Sequence, residues 1–138
     1  MTEITRTVET ELPVEQLWEL VADGDSWPAW MVDHADVDVA PGAQGTVVDD
    51  GRERTVRIGD VGDNQVSFTW WPVGAERLAS TVELVVLPRQ GGSALHVTER
   101  FPATLSASAA TTAGMAWDIR TLLLVLRTAL WAVAPSLV

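Results

Sequence analysis

The 138-residue sequence predicts an α+β domain, a curved antiparallel sheet of about seven strands around one long C-terminal helix. The predicted order is β-α-α-β-β-β-β-β-β-α. Most of the chain alternates apolar and polar residues with period two, as strands with one wet face do. Helical spacing is confined to stretches near 13–31 and 115–133. Of these, only the second is long and apolar enough to cover the inner face of such a meander.

Each element has its own signal. Ile4, Arg6, Val8, Thr10 and Leu12 alternate with Thr5, Thr7, Glu9 and Glu11, which predicts a first strand. Pro13 suits a first helical turn, where its missing N–H is not needed, and Val14, Leu17, Trp18 and Val21 form one helix face over 13–22. Asp23-Gly24 ends it, and "SWPAWM" reads as one more short helical turn carrying Trp27 and Trp30. "ADVDVA" and "GTVVDD" then predict strands, with Asp50-Gly51 as a hairpin turn. Further strands are predicted at 53–61, 65–71, 79–88 and 93–101, separated by Gly, Pro, Asp and Asn clusters. The small-residue segment 102–114 reads as a loop before the final helix. On that helix Met115, Ile119, Leu122, Leu126, Leu130 and Val133 form a stripe that Leu123, Leu124, Val125 and Trp131 widen, so it should face the sheet.

Composition narrows the function. A chain of this length forms one domain, 1–138, and its formal net charge of −10 argues against nucleic acid and anionic membranes. Cysteine is absent, which removes disulfides, thiolate metal sites and thiol nucleophiles. All nine basic residues are arginine, so Schiff-base chemistry on lysine is excluded. The polar, alternating N-terminal segment has no signal-peptide core, and Arg127 interrupts the apolar C-terminal run, which falls short of a membrane span. A soluble cytoplasmic protein of a GC-rich bacterium is the expectation. "DHADVD" at 33–38 is better explained by strand phase, with Val37 and Val39 inward and the aspartates in water, than by a metal. Neither metal nor cofactor is expected.

Several segments resemble the START-like, or SRPBCC, superfamily. "ELPVEQLWELVADGDSWPAW" resembles its opening helix pair, and "DDGRERTVRIGDVGDNQVSFTWWP" is similar to the central hairpin of the branch named after activators of the heat-shock-protein ATPase. "STVELVVLPRQGGSALHVTERF" continues the likeness, and "AWDIRTLLLVLRTAL" looks like the closing helix, with Met115-Ala116-Trp117 where relatives often have Gly-Trp. The resemblance implies a helix-grip fold with an apolar cavity. Members bind lipids, sterols or aromatic molecules, or cyclise polyketides. The co-chaperone role of the eukaryotic members does not transfer with the label.

Two sites stand out. In "SFTWWPVG" Trp70 shares a face with Val66 and Phe68 and should point inward, while Trp71 points outward, exposed or toward a partner. Glu99 alternates in phase with Leu95, Val97 and Phe101, which puts a carboxylate among inward apolar residues. Such a group must be neutralised, paired or wet. Arg54, in phase with Val56 and Ile58, is its expected partner. If Glu99 is unpaired, Glu99→Gln should be nearly neutral; a loss of stability would indicate a partner.

The first hypothesis is a binding protein for a small hydrophobic molecule. Its pocket would be bounded by Trp30, Val56, Ile58, Phe68, Trp70, Val97, Glu99 and Trp117, with the 102–114 loop as its mouth. The second is a cyclase or aromatase using Glu99 as general base. The third is a co-chaperone-like interaction module. A homodimer through the outer face of the last helix or through Trp71 is also expected.

Overall fold

The computed structural model describes residues 2–103 and 105–133. It contains β1 (Thr2–Thr10), α1 (Val14–Ala22), a 3₁₀ turn (Gly24–Ala29), β2 (His34–Asp36) and β3 (Gln44–Asp49). Then follow β4 (Arg52–Val61), β5 (Gln65–Pro72), a short turn (Glu76–Leu78), β6 (Ser80–Arg89), β7 (Gly92–Phe101) and α2 (Ala107–Val133). The strands form one antiparallel sheet in the order β1-β7-β6-β5-β4-β3-β2. The element order is the one that period counting predicts.

Asp50 and Gly51 both adopt positive φ, 53° and 74°, which closes the β3–β4 hairpin as its Asp-Gly signal implies. That turn sets Asp49 opposite Arg52 and Val47 opposite Arg54. The β4–β5 register shifts between Ile58 and Val61, a bulge of the kind that bends a sheet. The concave face then buries Val47, Val56, Ile58, Val66, Phe68, Val82, Leu84, Val86, Leu95 and Val97. Leu17, Leu20 and Val21 of α1 are buried in the same core, so one face of a nine-residue helix seals that end of the sheet.

Two features of the last helix differ from expectation. It begins at Ala107, so most of the segment read as a loop is its first two turns. Ala-rich sequence favours helix, and the Ser106 hydroxyl accepts the Ala109 N–H, which caps it. The larger correction concerns its face. Trp117, Arg120, Leu124 and Thr128 are buried, whereas Met115, Ile119, Leu122, Leu123 and Leu126 stay 45% to 60% exposed. One large indole and one anchored guanidinium fix the rotation of the helix more strongly than the broader aliphatic stripe does. Leu130, Trp131 and Val133 of that stripe lie outside the described side chains. By length and composition alone, Ala107–Ala129 could cross a membrane, yet its Trp117 face is buried against the sheet. At the edge strand, Arg6 donates to Asp118 at 2.6 Å and ties α2 to β1.

β2 is shorter than its alternating sequence suggests, although Val37 is buried and Asp36 and Asp38 face water as expected. Trp71 is the other correction. It does lie on the outer face, but it is only 7% exposed, because Arg57 reaches across its ring at 5.2 Å while approaching Glu76 at 3.9 Å. An outward side chain on a strand is covered whenever a neighbouring long side chain lies over it. Trp71 therefore offers no free interface.

Candidate functional site

A line of aromatic rings runs through the concave core. Trp27 meets Phe68 at 5.1 Å, Phe68 meets Trp70 edge-on at 5.3 Å, and Trp70 stacks toward Trp117 at 6.4 Å. Buried indoles need acceptors for their N–H groups. Trp27 donates to the Val21 carbonyl at 2.9 Å and Trp30 to the Leu20 carbonyl at 3.1 Å. The other two share Glu99. Trp70 Nε1 donates to Glu99 Oε2 at 2.9 Å, and Trp117 Nε1 donates to Oε1 at 2.7 Å. Ser80 Oγ donates to Oε2 and itself accepts from Trp70 Nε1 at 3.1 Å.

Glu99 is thus 2% exposed with both oxygens engaged. Its partners are three neutral donors from β5, β6 and α2, so the sheet and the helix meet on one carboxylate. The expected Arg54 pairing is not formed. Arg54 instead lies 4.5 Å over the Trp70 ring and 3.5 Å from Asp49 Oδ2. That same oxygen accepts Arg120 Nη2 at 2.6 Å. Arg120 also donates to the Met31 carbonyl at 3.0 Å and lies 4.5 Å over Trp117. Burial pulls the pKa of Arg120 below its ordinary value, with Asp49 and then Glu99 opposing that shift by their charge. Such a guanidinium still carries its proton at any ordinary pH.

Beside this cluster an open cleft of about 1060 Å³ separates the N-terminal half of α2 from the sheet end. Trp30, Trp70 and Glu99 border it. Val56, Ile58, Phe68 and Val97, expected as pocket walls, lie deeper, at 1% exposure or less, where they pack the sheet against α1 and the 3₁₀ turn. Trp117 is wholly buried beneath α2 and is absent from the lining. Segment 102–114 does border the cleft, but through helical turns of α2 (Ala109, Thr112 and Ala113), with Leu105 the only contribution from the loop before it among the described residues.

The sequence reading missed Asp49, Ser80 and Arg120. All three were visible in phase: Asp49 follows inward Val47 by two, and Ser80 precedes inward Val82 by two. Arg120 stands three residues after Trp117 on the same helical face. Also missed was the ridge Met115, Ile119, Leu123, spaced by four, which lines the cleft instead of the core. Among the described residues no cluster of His, Cys, Asp or Glu has the form of a metal site.

A long helix gripped by a seven-stranded antiparallel sheet, with an aromatic and arginine-lined cleft between them, defines a helix-grip protein. Residues 1–130 match the model for the polyketide cyclase/dehydrase and lipid transport family, and the chain belongs to that family. Among solved structures, DynU16 of the dynemicin biosynthetic locus aligns with a TM-score of 0.79 at 20% identity, over 89% of this chain and 45% of its own. The chain thus spans less than half of DynU16. Protein MLL2253 from Mesorhizobium loti also gives 0.79 at 20% identity, over 91% and 97%. The Aha1 dimer from Colwellia psychrerythraea gives 0.76 at 11% identity, over 93% and 96%. At these identities the likeness is one of fold. A search of curated proteins finds no match.

Proposed function

We propose that the chain binds a small hydrophobic molecule in the cleft between α2 and the sheet. The observation that carries this is the ridge Met115, Ile119, Leu123, three large apolar side chains left in water along one wall of a formed cleft. About half of each side chain is exposed, so a ligand that covered them would recover roughly half of the 1.5–3 kcal/mol that full burial is worth, about 1 kcal/mol apiece. Family membership supports the same reading.

The alternative of a cyclase with Glu99 as base fits less well. A general base needs a lone pair within reach of substrate, and the Glu99 oxygens already accept from two indoles and a hydroxyl. The interaction-module reading rests on Leu122 and Leu126, exposed on the helix side outside the cleft lining. They are the surface through which a homodimer would form, the state in which the Aha1 neighbour was solved. Light scattering at high concentration would then give twice 14.9 kDa, and a monomer mass removes the dimer.

Ligand binding is tested by indole emission. Fatty acids, sterols and flat aromatic compounds are titrated into wild type, Trp70→Phe and Trp71→Phe. Trp70 borders the cleft and Trp71 lies under Arg57 on the other face, so the emission change should persist in Trp71→Phe and shrink in Trp70→Phe. No change in emission or melting temperature with any class would overturn the proposal.

A further inference from the structure

We infer that the cleft selects an amphiphile with an anionic, carboxylate-type head, held by Arg54, its apolar body lying along Met115, Ile119 and Leu123. This rests on the ligand-binding reading above and adds the class of ligand. Most of the charges in the cleft are already in use. Asp49 is committed to Arg120 at 2.6 Å, and Glu99 to its three donors. Asp33 accepts the Gly51 N–H at 3.1 Å across the hairpin turn.

Arg54 is placed differently. Its guanidinium is fixed over Trp70 at 4.5 Å, its side chain is 31% exposed, and it borders the cleft. It makes no side-chain hydrogen bond among the described residues; its one ionic neighbour is the Asp49 oxygen that Arg120 holds more closely. A cation stacked on an indole, with no hydrogen bond on its N–H fork and only a 3.5 Å ionic neighbour, is preorganised for a planar anion. Arg52, exposed at the same border and in no ion pair among the described residues, adds positive charge beside it. Asp50 on the turn, itself exposed, is the one lining carboxylate without a partner among the described residues. The order of groups is then head at Arg54 and tail along the α2 ridge. From Met115 to Leu123 the helix advances about 12 Å, close to the length of an extended chain of about ten carbons.

The test compares dodecanoate, dodecanol and methyl dodecanoate, each below its aggregation concentration, by calorimetric titration of wild type, Arg54→Met and Arg54→Lys. A charge-assisted hydrogen-bonded head should make dodecanoate bind at least about tenfold more tightly than the two neutral probes. In Arg54→Met that ratio should fall to about one, and Arg54→Lys, which keeps the charge but not the fork, should lie between. Circular dichroism checks that each variant is folded. Equal binding of acid and neutral probes by wild type, or a ratio unchanged in Arg54→Met, overturns the Arg54 anchor while leaving hydrophobic ligand binding standing. Binding of none of the three overturns the anionic-head proposal, and the sterol and aromatic titrations then decide hydrophobic ligand binding by themselves.

Discussion

Arg120→Met is expected to lower the free energy of unfolding by about 3–5 kcal/mol, the range found when one partner of a buried ion pair is removed. The substitution strands Asp49, takes the donor from the Met31 carbonyl, and removes the cation from above Trp117. Methionine fills much of the same volume, so the loss is electrostatic and not a cavity effect. Arg54, already 3.5 Å from Asp49, can close on it and would bring the cost toward the lower end. The pair itself need not be stabilising overall, because burial opposes the charge on Arg120. Hence Arg120→Met combined with Asp49→Leu should recover much of the loss. Urea unfolding of the two single variants and the double variant measures this cycle. A single variant within about 1 kcal/mol of wild type would mean that the pair does not hold α2 to the hairpin.

The fold was legible because strand phase is a local property. Alternation in "TVELVVLP" and "SALHVTERF" decides which side chains point inward whatever lies on the other layer. It also placed Glu99, Trp70 and Arg54 on the concave face, where the structure has them. Pairing across the core is not local. Glu99 and Arg54 share a face but not a row: Glu99 stands opposite Ile4 and Val82, Arg54 opposite Val47 and Pro72. The groups that reach Glu99 are a neighbouring hydroxyl and two indoles, whose long rigid rings carry an N–H across two strands or down from a helix. Donors of that kind leave no charge pattern in a sequence.

The rotation of α2 escaped for a related reason. Hydrophobic periodicity assumes that the apolar face is the buried one. Here Ile119 and Leu123 line a cleft while Arg120 and Thr128 are buried, so the pattern inverts where the helix borders a site. A tryptophan and an arginine at i and i+3, Trp117 and Arg120, were the available signal. Conflict between local pattern and packing of this kind is concentrated at functional sites.

Glu99→Leu is expected to destabilise the protein by about 3–5 kcal/mol, since each buried donor left without an acceptor costs about 1–3 kcal/mol. Leucine matches the volume and suits the apolar row of Ile4, Val82 and Phe68, so packing alone would favour it. Against this, among the described residues Trp117 Nε1 has no other acceptor, and Trp70 Nε1 keeps only Ser80 at 3.1 Å. Arg120 would also lose one of the two negative charges that oppose its desolvation. Glu99→Gln separates these effects. Its amide oxygen can serve Trp117 and its NH₂ group can donate to Ser80, but NH₂ then faces the Trp70 N–H, donor against donor. The cost should be smaller, about 1–3 kcal/mol, and not the near-neutral change of an unpaired carboxylate. Chemical unfolding followed by tryptophan emission reads both stability and the indole environment, so the order wild type, Gln, Leu should appear in each. A leucine variant as stable as wild type would show that the carboxylate is dispensable to the sheet–helix junction, and would return Glu99 to a role in binding or chemistry at the cleft.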